Sequence, residues 1–66
     1  MINAVVDTTT KEIKYITSDL HNACTERDML NANLPMLEQK YSVISTINGI
    51  KEYCGITNAE LKRLRF

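Results

Sequence analysis

Asn31-Ala32-Asn33-Leu34-Pro35 reads as the joint of a helical hairpin, and the residues on either side of it decide the fold. Asn tolerates the left-handed backbone that ends helices, while Pro35 disfavours a helical Leu34 and suits the first turn of a new helix. Outward from this joint the apolar residues pair as mirror images: Leu30 with Leu37, Cys24 with Val43, Ala23 with Ile44, Leu20 with Ile47, and Ile13 with Cys54. Two antiparallel helices of equal rise that bury one face against each other produce this symmetry. The expected fold is therefore all-α: an antiparallel helical hairpin plus a short C-terminal helix, completed by oligomerisation into a helical bundle.

On the N-terminal side, residues 1–8 read as an arm with some strand character at Ala4-Val5-Val6. Thr9-Thr10-Lys11-Glu12 fits the capping box, in which a Thr hydroxyl and a Glu carboxylate satisfy free backbone amides reciprocally, so a first helix is expected over 9–31. Along it Ile13, Ile16, Leu20, Ala23, Arg27 and Leu30 recur at three- and four-residue intervals, a coiled-coil-like seam broken by Arg27. The long Arg27 side chain is expected to lay its methylenes over the seam with its guanidinium in water, against Glu38.

On the C-terminal side, a second helix is expected over 35–54. Leu37, Tyr41, Ile44, Ile47 and Cys54 carry its stripe, and Val43 and Ile50 widen it beyond what one neighbour covers. A competing signal lies inside it: Val43-Ile44-Ser45-Thr46-Ile47 is rich in β-branched residues, and Asn48-Gly49 favours a β-hairpin. Helix is preferred because the mirror register spans more residues than the local turn signal. Gly55 closes this region, and Thr57-Asn58-Ala59-Glu60 repeats the capping box to open a third helix over 57–65 with Leu61 and Leu64 on one face. With no repeat, low-complexity tract or linker, the 66 residues form a single domain.

A chain this short draws roughly 3–5 kcal/mol from one core, so small domains generally add disulfides, a metal or a partner. In the mirror register the two thiols, Cys24 and Cys54, lie about 16 Å apart along the hairpin, too far to bridge. One histidine, His21, and no closely spaced cysteine pair give no zinc pattern, so neither metal nor cofactor is expected. A partner chain remains: a homo-oligomer through Ile13, Ile16, Leu20, Ala23, Arg27, Leu30, Leu37, Tyr41, Ile44 and Ile47, and a protein partner beyond it. Eight basic and eight acidic residues cancel, although Lys62, Arg63 and Arg65 cluster near the C-terminus and leave the rest acidic. Met1-Ile2-Asn3-Ala4-Val5-Val6 has no charged leader or long apolar core, and no apolar run approaches a membrane span, so the cytoplasm is the expected location.

No catalytic arrangement stands out. The eight carboxylates are scattered, the hydroxyls lack a general base and no glycine-rich phosphate loop is present, so a non-enzymatic role is expected. Tyr41 falls on the seam, and Met29 and Met36 flank the joint as space-fillers.

One segment carries a functional pattern. From Ile47 to Phe66, Ile50 and Cys54 precede Gly55, Ile56 follows it, and Leu61 and Leu64 anchor a second helix. This resembles the helix-turn-helix of DNA-binding proteins, in which a glycine takes the tight turn and apolar residues lock two helices at a steep angle. The resemblance implies that Asn58 and Lys62 face base edges and that Arg63 and Arg65 face phosphates. The competing reading makes Gly55 a helix stop and Lys62-Arg63-Leu64-Arg65 a solvated helix end whose charges suit the helix dipole.

Overall fold

The computed structural model describes residues 2–64 and corrects the all-α expectation: the fold is mixed, a three-stranded antiparallel sheet with helices on both faces. In chain order it comprises β1 (Asn3–Asp7), β2 (Ile13–Thr17), α1 (Leu20–Ala32), a 3-10 turn (Met36–Glu38), β3 (Tyr41–Ile44), α2 (Ile47–Cys54) and α3 (Asn58–Leu64). The strand order is β2-β1-β3. β1 pairs antiparallel with both neighbours, so β2 and β3 run parallel to each other, and α1 joins them across β1 as a split βαβ unit.

The stretch expected as an arm is thus the centre of the molecule. Every residue of β1 is buried, because both of its faces are covered as well as both of its edges. Strand alternation sends Ala4 and Val6 to one face, where they form a core with Ile2, Ile16, Ile50 of α2 and Leu61 of α3. Val5 points the opposite way, towards the face that α1 covers, and Ala23 is α1's fully buried residue. A central strand covered on both sides reads as a continuous apolar run without alternation, which is why Ala4-Val5-Val6 is weak as a sequence signal.

The expected helix over 9–31 divides into hairpin loop, strand and helix. At Thr9 and Thr10 the backbone amides are taken by Asp7, whose Oδ1 accepts from both at 2.8 and 3.2 Å, so the carboxylate organises a turn where a capping box was expected. Lys11 adopts the left-handed conformation (φ 62°) that brings the chain back into β2. The helical spacing of Ile13 and Ile16 has a different origin. Ile13 pairs with Val6 and Ile16 with Ala4, but Val5 pairs with Tyr15, leaving Lys14 as an extra residue in a β-bulge. An inserted residue turns the two-residue period of a strand into an interval of three, which mimics a helix. α1 instead begins after Asp19, whose Oδ1 accepts from the N–H groups of His21 and Asn22.

The expected helix over 35–54 divides as well. Pro35 precedes a single 3-10 turn, the β-branched residues at Val43 and Ile44 belong to β3, and α2 starts only after Thr46. Asn48-Gly49 makes no hairpin: Gly49 sits in the first turn of α2 and donates its N–H to Thr46 Oγ1 at 3.0 Å. A Cβ there would lie 2.5 Å from that hydroxyl and 3.1 Å from Ile44 Cγ2, so glycine serves close approach here. α2 ends at Gly55 in the left-handed region (φ 66°), whose N–H returns to Lys51 O. Thr57 and Glu60 then form the reciprocal cap that opens α3, with Glu60 N–H donating to Thr57 Oγ1 and Thr57 N–H to Glu60 Oε1, both at 3.3 Å. Among the described residues, no helix is long and apolar enough to cross a membrane.

Candidate functional site

With the hairpin gone, the ten residues expected to form one seam are dispersed. Ile16 and Ala23 are buried on opposite faces of the sheet, and Ile13 and Ile44 are half-buried against the Ile16 side. Leu20 and Ile47 are the exposed first residues of α1 and α2. Arg27 and Leu30 lie half-buried on α1, and Arg27 turns to its neighbour Asp28 at 3.0 Å instead of Glu38. Tyr41 is half-buried in β3, and Leu37 stands in solvent. No continuous seam, and hence no helical bundle built on one, survives this arrangement.

The feature that replaces it is the segment from Leu34 to Lys40, a shelf between α1 and β3. It is clamped at both ends. At its start, Leu34 N–H donates to Asn31 O at 2.9 Å, and Pro35 O accepts from Glu38 N–H at 2.8 Å to close the 3-10 turn. At its end, Asn31 acts as a surrogate strand residue. Its Oδ1 accepts from the N–H groups of Lys40 and Tyr41 at 3.1 and 3.0 Å, and its Nδ2 donates to Tyr41 O at 3.1 Å. A side-chain amide carries the same donor and acceptor as a peptide group, so it satisfies the Tyr41 end of the outer edge of β3 as a fourth strand would.

The hairpin loop supplies the second clamp. Thr8 donates both its N–H and its hydroxyl to Lys40 O, at 2.9 and 2.7 Å. Lys40 Nζ meets Asp7 Oδ2 at 3.1 Å, and Asp7 is 3% exposed. Burial pushes the Asp7 carboxyl upward, but the Lys40 ammonium and the Thr9 and Thr10 amides outweigh it and hold the group below its ordinary range. The hydrogen bond to Asp7 in turn raises Lys40 above its usual value despite desolvation.

On this fixed backbone the side chains point outward. Leu37 is 99% exposed and Met36 84%, and Met29 is 59% exposed on the last turns of α1. Beside them lies an open recess of about 520 Å³ lined by Thr8, Thr9, Leu34, Leu37, Glu38 and Lys40. Water-exposed leucine in a loop is ordinarily indifferent, but here two adjacent large apolar side chains project from a segment tied down by Asn31, Thr8 and an ion pair. By sequence, only Leu34 and Pro35 of this segment belong to the expected joint, with Leu37 placed inside a seam and Met29 and Met36 as fillers. Their exposure follows from the chain turning into β3 instead of a second helix.

The nucleic-acid candidates fall on α3. Asn58, Lys62 and Arg63 are all exposed there, and Arg65 lies outside the described residues. Leu61 is buried in the core, whereas Leu64 is exposed and gives α3 no second anchor. The thiols of Cys24 on α1 and Cys54 on α2 are free, and burial pushes that of Cys54 up. Among the described residues no three His, Cys, Asp or Glu side chains group closely enough to hold a metal ion. Comparison of the chain with family models, curated proteins and solved structures gives no match, so its surfaces alone speak to its role.

Proposed function

We propose that this chain is a non-enzymatic protein-interaction module whose contact surface is the shelf from Leu34 to Lys40. The observation that carries the reading is the near-complete exposure of Met36 and Leu37 on a backbone clamped by Asn31, Thr8 and the Asp7–Lys40 ion pair. A preformed surface loses little conformational freedom on binding, and burying a large apolar side chain contributes about 1.5–3 kcal/mol. Both sheet edges are partly protected against strand addition. Asn31 closes β3 at Tyr41, and the bulge with Lys14 disrupts β2, both recognised ways of discouraging strand addition.

The test is replacement of Met36 and Leu37 together by Ser. Protein association, measured in solution and by capture after nuclease treatment, is expected to be lost while the thermal melt is retained. Association that survives the double replacement refutes the shelf as the contact surface.

A second reading, a DNA-binding helix-turn-helix at 47–66, is favoured by one observation. α2 and α3 are joined through a left-handed Gly55, and Asn58, Lys62 and Arg63 are exposed on the second helix. Its test is fluorescence anisotropy with a labelled duplex over a salt series, with Lys62→Glu and Arg63→Glu alongside. Salt-sensitive binding that the charge reversals abolish supports it, and absence of binding at low salt refutes it.

A further inference from the structure

The chain holds six asparagines, and Asn48 alone is followed by glycine; the others precede Ala or Leu. An Asn-Gly pair has a chemistry of its own. Where the glycine nitrogen reaches the Asn side-chain carbonyl carbon, a new C–N bond closes a succinimide ring and the side-chain nitrogen leaves as ammonia. A water molecule then opens the ring at either carbonyl, giving Asp or isoaspartate. The sum is amide plus water to carboxylic acid plus ammonia, with no oxidant or cofactor. A side chain on the following residue hinders the attack, and glycine has none.

The fold holds this pair shut. Asn48 is exposed in the first turn of α2, so water reaches its side chain freely. Gly49 is fixed beside it: its N–H donates to Thr46 Oγ1 at 3.0 Å, and the Ile50 N–H donates to Thr46 O at 2.9 Å. A helical turn aims each N–H back along the axis, whereas the side chain of the preceding residue points outward. Attack therefore requires the Asn48-Gly49 peptide to rotate out of the turn. Nor does position 49 accept a less reactive neighbour. A Cβ there would lie 2.5 Å from Thr46 Oγ1 and 3.1 Å from Ile44 Cγ2, so the packing of α2 on the end of β3 demands the residue that makes Asn48 labile.

We propose that Asn48-Gly49 is a modification site guarded by the fold, unreactive while Thr46 caps α2 and converted to isoaspartate when that first turn opens. The conversion runs one way, and the core registers it. Isoaspartate carries the main chain through its Cβ and so adds one backbone atom between positions 48 and 49. Ile50 follows at once, fully buried and clustered with Ala4, Val6 and Leu61. A lengthened main chain does not keep both the Gly49–Thr46 bond and the seat of Ile50, so the modified chain has a weakened α2. Ordinary Asp at this position leaves the backbone unchanged, and a carboxylate near a helix N-terminus is favoured by the dipole.

The full chain incubated at mildly alkaline pH, followed by peptide mapping with mass spectrometry and chromatographic separation of Asp from isoaspartate, tests the proposal. In urea, Asn48 is expected to convert at least about tenfold faster than any other asparagine, and the native chain at least about tenfold more slowly there than the unfolded one. Thr46→Ala removes the cap of α2 and is expected to raise the native rate at Asn48 about fivefold. Thr57→Ala removes the matching cap of α3 and is expected to leave that rate unchanged. The isolated isoaspartate product is expected to melt below the wild type, and Asn48→Asp at or above it.

Equal rates at Asn48 in native buffer and in urea overturn the guard, as does a Thr46→Ala rate equal to that of the wild type. Acceleration by Thr46→Ala and Thr57→Ala alike assigns the reaction to global unfolding and overturns local control by the α2 cap. An Asn48 no faster in urea than the other asparagines overturns the site itself. An isoaspartate product that melts with the wild type overturns its coupling to Ile50.

Discussion

Replacing Asn31 with Ala removes, in a single step, the three hydrogen bonds that join the end of α1 to the start of β3. Each such bond contributes about 1 kcal/mol net, so the gross loss is about 3 kcal/mol. Ala is the better helix former by up to about 0.7 kcal/mol, which offsets part of it and leaves a destabilisation of about 2 kcal/mol. Against a core that yields roughly 3–5 kcal/mol in a chain of this size, that is close to half of the stability. Urea denaturation followed by circular dichroism reads it directly. With a slope near 1 kcal/mol/M for so small a domain, the midpoint is expected to fall by about 2 M. Asn33→Ala is the control, because Asn33 donates a single exposed bond to Met29 O at 3.3 Å, and its effect should stay within about 0.5 kcal/mol. An Asn31→Ala protein within about 0.5 kcal/mol of the wild type would refute the role of Asn31 as a surrogate strand residue, since water would then be satisfying Lys40 and Tyr41 equally well.

Three further outcomes follow from particular positions. Gly55→Ala places a Cβ on a left-handed residue and should cost about 1 kcal/mol in the same urea assay, although nothing lies within 4 Å of the added carbon, so an unchanged midpoint would mean the turn relaxes. Asn3 is 1% exposed, its Nδ2 reaches Thr17 O at 3.3 Å and its Oδ1 has no partner; Asn3→Val therefore removes an orphaned acceptor along with one long bond and should stabilise by about 1 kcal/mol, and a destabilisation would show that Oδ1 is satisfied. The Asp7 carboxyl sits below its ordinary 3.8, so the unfolded chain binds a proton at a pH where the folded one does not; its contribution is present above that value and lost as pH falls through the lower folded one. Lys40 sits above 10.5, so its share is present below that value and lost only as pH rises beyond it. Asp7→Asn should accordingly flatten the acid limb of stability against pH below about pH 4, and an unaltered limb would exclude Asp7 as its cause.

The features legible along the chain are local ones. Gly55 ends a helix because glycine takes the left-handed conformation without strain, and Thr57 and Glu60 cap the next one because their side chains reach amides within four residues. Pro35 precedes the 3-10 turn for an equally local reason, whereas Asn31, expected to end the helix in a left-handed conformation, lies inside α1, which runs on to Ala32. Long-range packing sets which segments are strands, and with them the candidate surface. Ile13 and Ile16 are three apart in a helix-like interval because Lys14 bulges out of a strand, and nothing near Lys14 announces that. Ala4-Val5-Val6 becomes the central strand because Ile50 and Leu61 arrive on one face and α1 on the other, all from distant sequence. Leu37 has the composition of a core residue, yet β3 pairs with β1 beyond it and Asn31 fixes the turn beneath it, which leaves the leucine in water. Exposure is a property of what the rest of the chain fails to cover, and spacing along the sequence does not carry it.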